Sequence, residues 1–90
     1  MVELPVGRDK KTIEFGDFEF ETYLSREELA KFLRSLADQI EKGNVVEVSS
    51  EDWVIRFEFT EPIEVEVEYD AEAKKLEFEI EFRERRRLNV

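Results

Sequence analysis

Ninety residues with a formal charge of −10 and neither cysteine nor histidine allow one hydrophobic core and exclude disulfides, thiolate metal sites and thiol or imidazole catalysis. Hydrophobic residues make up 41% of the chain and eight residues are Phe, enough apolar material to pack an interior and set the sequence apart from disordered chains. The acidic balance also speaks against nucleic acid and anionic membranes as partners, because both call for a net positive surface.

That charge is unevenly spread. Arg8, Lys10 and Lys11 stand near the start, and Arg83, Arg85, Arg86 and Arg87 near the end, so the body between them carries the acidity. No stretch approaches the roughly 18 apolar residues of a membrane span, and residues 1–7 lack an apolar signal region. With no cysteine to oxidise, the expected location is cytoplasmic. Abundant Glu, Lys and Arg beside few Asn and Gln resemble the composition of heat-adapted proteins. Residues 1–11 are expected as a flexible lead, 12–84 as a single domain and 85–90 as a basic tail.

The first periodic segment runs from Phe18 to Tyr23, where apolar and acidic residues alternate as in a strand with one buried face. Thr12 to Phe15 alternates in the same way, and Gly16-Asp17 between the two reads as a hairpin turn or, preferably, a bulge in one long strand. A helix follows. Ser25 is placed to cap it, Glu28 to return the hydrogen bond, and Leu24 and Leu29 to staple its first turn. Leu29, Phe32, Leu33, Leu36, Ala37 and Ile40 form one stripe. Lys42 suits the C-terminal dipole, and Gly43 is expected to end the helix in the left-handed conformation.

Four strands come next: Val45 to Ser49, Trp53 to Phe59, Ile63 to Tyr69 and Leu76 to Phe82, the last three alternating almost strictly. Short turns at 49–52, 60–62 and 70–75 make them a meander. The expected fold class is α+β: a two-layer sandwich with one amphipathic helix on one face of a mostly antiparallel sheet of about five strands, in the order β-α-β-β-β-β. Tight connections make the strand before the helix run parallel to Val45–Ser49, and its place in the sheet stays open. Phe20, Ile55, Phe57, Val65, Val67, Phe78 and Ile80 are the expected partners of the helix stripe.

From about Phe18 to Glu84 the chain resembles the amphi-Trp domain family, small archaeal and bacterial domains named for amphipathic strands and a tryptophan. The residues that carry the likeness are the entry Phe18-Glu-Phe-Glu, the helix from Leu24 to Gly43 and the closing Leu76-Glu-Phe-Glu-Ile-Glu-Phe82. The resemblance implies the fold and assigns no activity. The family places its Trp in the last strand, where this chain has Phe82; its one Trp is Trp53.

Catalytic candidates are few: carboxylates, Tyr23, Tyr69 and four serines, of which Ser25 serves as a cap. Paired carboxylates do acid–base work in a cleft, and these glutamates alternate along a flat, wet face, so no catalytic residue is expected. No metal or cofactor site is expected either, since no Asp-x-Asp-x-Asp-Gly loop occurs and Ser49 to Asp52 reads as a polar turn. Trp53 shares its side of the strand with Ile55, Phe57 and Phe59 and belongs to the core or its edge.

The glutamate ladder is the candidate site. If Tyr69 pairs with Leu76, Glu68 falls opposite Glu77, Glu66 opposite Glu79 and Glu64 opposite Glu81, and like charges in register repel. Arg56, Arg83, Arg85, Arg86 and Arg87 are the basic residues expected to compensate. The Arg-rich end lacks the interleaved aromatics of a nucleic-acid arm and reads as a counterweight to its own sheet. Two functions follow as expectations: a non-catalytic protein-interaction module that offers a basic protein partner an acidic face or strand edge, or a structural domain that self-associates through a sheet edge.

Overall fold

A computed structural model describes residues 10–85 and the backbone of Val2–Glu3. The elements are β1 (Val2–Glu3), β2 (Lys11–Thr12), α1 (Arg26–Lys42), β3 (Val45–Ser49), β4 (Trp53–Glu58), β5 (Thr60–Asp70) and β6 (Lys75–Arg83). The fold is α+β: among the described residues two short strands precede one helix and four strands follow it. The chain divides into two compact units, Met1–Phe57 and Glu58–Val90. The expected lead before Lys10, apart from the β1 backbone, and the tail with Arg86 and Arg87 lie outside the described residues.

In the first unit α1 starts where the sequence sets it. The Glu28 amide donates to Ser25 Oγ at 3.1 Å and the Ser25 amide donates to Glu28 Oε1 at 2.8 Å, which satisfies two amides the helix leaves without partners. At the other end Gly43 has φ 169° and ψ −160°. That is extended backbone, not the left-handed stop expected, because the chain must straighten at once to enter β3. Phe32, Leu36 and Ile40 are half-buried together with Ser35 and Gln39, whereas Leu29 and Leu33 are each 46% exposed. The covered stripe is therefore rotated from the expected one towards Gln39.

The four-stranded sheet has the order β1-β3-β4-β2. Its centre is the β3–β4 hairpin, antiparallel because residues 50–52 are too short a link for a parallel crossover; the Ser50 amide closes it on the Trp53 carbonyl at 2.9 Å. The two short outer strands are parallel to their neighbours, with Val2 beside Val48 and Lys11 beside Trp53. Val46 and Ser49 are buried.

The expected strand from Phe18 to Tyr23 does not form. Lys11 and Thr12 take the ladder position beside β4, and the Ile13 amide continues it by donating to the Val54 carbonyl at 2.9 Å. Beyond them the chain bends at Phe15-Gly16, with Gly16 at φ 76°, a left-handed value that glycine adopts without strain. Neither the hairpin nor the bulge expected at Gly16-Asp17 is made. The alternation is instead used by side chains: Phe18 and Phe20 both lie with their rings 5.0 Å from Trp53, tilted by 60° and 63°, edge-to-face packing that adds about 0.5–1.5 kcal/mol per pair.

In the second unit β5 and β6 form a two-stranded antiparallel ribbon. The expected meander breaks at Phe59, the one residue between β4 and β5, because a single residue cannot turn a hairpin. Phe59 is 3% exposed and packs on the Phe82 ring at 5.0 Å, burial that contributes about 1.5–3 kcal/mol. Thr60 Oγ1 ties the same end of the ribbon, donating to the Arg83 carbonyl at 3.2 Å and accepting from the Arg85 amide at 3.0 Å. A register shift lies between Thr60 and Glu64, where the Glu61–Pro62 peptide is cis.

The far end is the expected turn. Asp70 pairs with Lys75, and Asp70 Oδ1 accepts from the amides of Glu72 and Ala73 at 3.1 and 3.2 Å. Lys74 completes the reversal at φ 54°.

Candidate interaction face of the β5–β6 ribbon

Strict alternation along β5 and β6 sends glutamates to one face and apolar residues to the other. The register is the one the sequence implies: Glu64 opposite Glu81, Glu66 opposite Glu79, Glu68 opposite Glu77 and Tyr69 opposite Leu76.

The two outer Glu pairs have local cations. Lys75 Nζ lies 3.2 Å from Glu77 Oε1. Arg83 grips Glu81 Oε2 through both Nε and Nη2 at 2.8 Å. That hydrogen bond, then the charge of Glu81 and more weakly that of Glu64, raises the Arg83 pKa above its ordinary value. Among the described residues Glu66 and Glu79 form no ion pair, so the centre of the ladder is uncompensated. A small cavity of about 90 Å³ opens there, lined by Glu66, Glu68, Glu77, Glu79 and Phe78.

The remaining expected counter-charges are placed otherwise. Arg56 stands on β4, where it lines a shallow recess of the first unit with Gln39 and Glu47. Arg85 lies beside the backbone of β5, its Nη1 3.4 Å from the Pro62 carbonyl. Arg86 and Arg87 lie outside the described residues.

The opposite face of the ribbon departs from expectation. Val65, Val67, Phe78 and Ile80, expected in the core, are 63%, 56%, 69% and 44% exposed, and Tyr69 and Leu76 on the same face are also exposed. Period-two alternation shows that a face is apolar but does not show what covers it.

The first unit has an open cleft of about 500 Å³ lined by Phe18, Phe20, Trp53, Glu28, Glu51 and Asp52 among others. Trp53 Nε1 is buried and meets no acceptor among the described residues. The Ser25 amide and hydroxyl hold Glu28 below the usual carboxylate range. Sequence reasoning missed this cleft because it set Phe18 and Phe20 in a ladder. Among the described residues no three acidic side chains are placed to hold a metal ion, and no helix is long and apolar enough to cross a membrane.

The entry Phe18-Glu-Phe-Glu, the helix from Leu24 to Gly43 and the closing Leu76-Glu-Phe-Glu-Ile-Glu-Phe82 are the segments that carry the likeness, and residues 10–88 match the Amphi-Trp domain. The chain belongs to the amphi-Trp domain family. In this amphi-Trp domain Phe82, which stands where the resemblance sets the family's tryptophan, packs on Phe59, while Trp53 gathers Phe18 and Phe20 in the first unit. No curated protein and no solved structure matches the chain.

Proposed function

We propose that this amphi-Trp domain is a non-catalytic protein-interaction module that engages a basic protein partner through the acidic face of the β5–β6 ribbon. The observation that supports this reading is the uncompensated centre of the ladder, Glu66 opposite Glu79, flanked by Glu64, Glu68, Glu77 and Glu81. A Lys or Arg side chain from a partner relieves the like-charge contact as it docks, so the repulsion stored in the free ribbon becomes attraction in the complex. The partner is a protein, met in the cytoplasm; phosphate-bearing surfaces are repelled by the same charges.

A second reading is self-association through a sheet edge. It is supported by the ribbon having two strands among the described residues, so that within those residues each has one side without a ladder partner. The first reading is tested by fluorescence anisotropy of a labelled lysine-rich peptide titrated with the protein at about 50 mM and about 300 mM salt. It expects binding at low salt that weakens as salt rises and is lost in Glu66→Lys/Glu79→Lys. Equal binding by that variant contradicts it.

A further inference from the structure

We propose that two copies of this chain pack the apolar faces of their β5–β6 ribbons against each other, forming a two-fold sandwich with the glutamate ladders outermost. This does not rest on the acidic-face reading, since it uses the other side of the same ribbon.

A two-stranded ribbon is at best marginally stable alone in water, and this one has strands of 11 and 9 residues. Val65, Val67, Tyr69, Leu76, Phe78 and Ile80 line one face and are 44–72% exposed. Side chains of roughly 150–250 Å² at those exposures present about 700 Å² per copy. Two copies would bury about 1,400 Å², within the roughly 1,200–2,000 Å² of a stable protein–protein interface.

Chemistry favours a second copy as the occupant. The face is uncharged across those six residues, so it offers nothing to a basic partner, and an apolar patch is complementary to itself under a two-fold axis. Charge also selects this geometry over an edge-to-edge one. Pairing by edges would extend each row of glutamates with another row about 5 Å away. Face-to-face packing sets the ribbons about 10 Å apart with the carboxylates pointing outwards on both sides, further from each other than the Debye length of about 8–10 Å.

Sedimentation equilibrium on the full chain from about 5 to about 200 µM decides the matter, because the dimer fraction rises with concentration. The wild type is expected to dimerise with a Kd in the micromolar range or tighter, undiminished by added salt. Val67→Glu/Phe78→Glu is expected to weaken the dimer at least about 100-fold while the circular-dichroism signal of α1 persists. Glu66→Lys/Glu79→Lys is expected to leave it within about threefold.

The cysteine-free chain allows a second measurement that does not depend on the glutamate variants folding. A short bis-maleimide is expected to link Phe78→Cys into dimers and not Glu79→Cys, whose thiols would lie on opposite outer faces. A wild type that stays monomeric throughout, as it would if another part of the same chain covered the face, overturns the proposal. So does a dimer that survives Val67→Glu/Phe78→Glu with the fold intact, or linking through position 79 in place of 78.

Discussion

Gln39 of α1 holds the backbone of Glu47 in β3 through both main-chain polar groups of that one residue: its Oε1 accepts from the Glu47 amide at 2.7 Å and its Nε2 donates to the Glu47 carbonyl at 3.2 Å. A side-chain amide here does what a neighbouring strand would do, and it fixes the rotation of the helix over the sheet. Gln39→Ala leaves both backbone groups without that partner in a half-buried place, and is expected to cost about 1–3 kcal/mol in urea unfolding. Gln39→Glu keeps the acceptor but turns an oxygen towards the Glu47 carbonyl, so it should also destabilise. Unchanged unfolding of both variants would mean that the amide contributes nothing to docking the helix.

The β5–β6 turn allows two substitutions of opposite sign. Asp70→Ala removes the acceptor shared by the Glu72 and Ala73 amides and should lower stability by about 1 kcal/mol. Lys74→Gly removes a side chain from a residue at φ 54° and should raise it by up to about 1 kcal/mol, the left-handed penalty less the entropy glycine adds to the unfolded chain. Thermal melts of the two should move in opposite directions. A loss of stability in Lys74→Gly would contradict the assigned turn geometry.

The capping box predicts a pH effect. Hydrogen bonds from Ser25 hold the folded Glu28 carboxyl below its ordinary pKa, so on acidification the unfolded chain takes up that proton first. The stabilisation is complete above the unfolded carboxylate range and is lost as pH falls through the folded value. Glu28→Gln keeps a capping group without the charge. Its stability should therefore fall less than the wild type's between about pH 6 and pH 3. Ser25→Ala should cost about 1 kcal/mol at neutral pH. Parallel pH profiles for wild type and Glu28→Gln would contradict this account of Glu28.

The ladder predicts where a charge reversal helps. Glu66→Lys sets a cation opposite Glu79 and should stabilise the ribbon by about 0.2–1 kcal/mol at low salt, with the gain shrinking as salt screens it. Glu81→Lys should give no such gain, because it exchanges the Arg83 grip for a repulsion. Equal effects at the two positions in melts at low ionic strength would mean that Lys75 and Arg83 do not distinguish the outer pairs from the centre.

Where local pattern and local chemistry agree, the structure follows the sequence. The start of α1, the Asp70–Lys75 turn and the Glu64–Glu81 register were legible because each is decided by residues a few positions apart or by strict alternation across one turn. Phe18 to Tyr23 has the alternation of a strand, but a ladder also needs a free partner, and Lys11 and Thr12 occupy the place beside β4. Gln39 gave no signal because its partner is the backbone of Glu47, which every residue type offers. The exposure of Val65 and Phe78 could not be read either, since burial depends on what meets the face and alternation reports only its polarity.

The central claim is that the glutamate face of β5–β6 receives a basic partner, and nuclear magnetic resonance mapping tests it residue by residue. Adding a lysine-rich peptide to labelled protein at low salt should shift the amide signals around Glu64, Glu66, Glu68, Glu77, Glu79 and Glu81, most strongly at Glu66 and Glu79, and the shifts should reverse when salt is raised. Shifts confined to the first unit, around Trp53 and Glu51, or none at these six glutamates while the peptide binds, would contradict it.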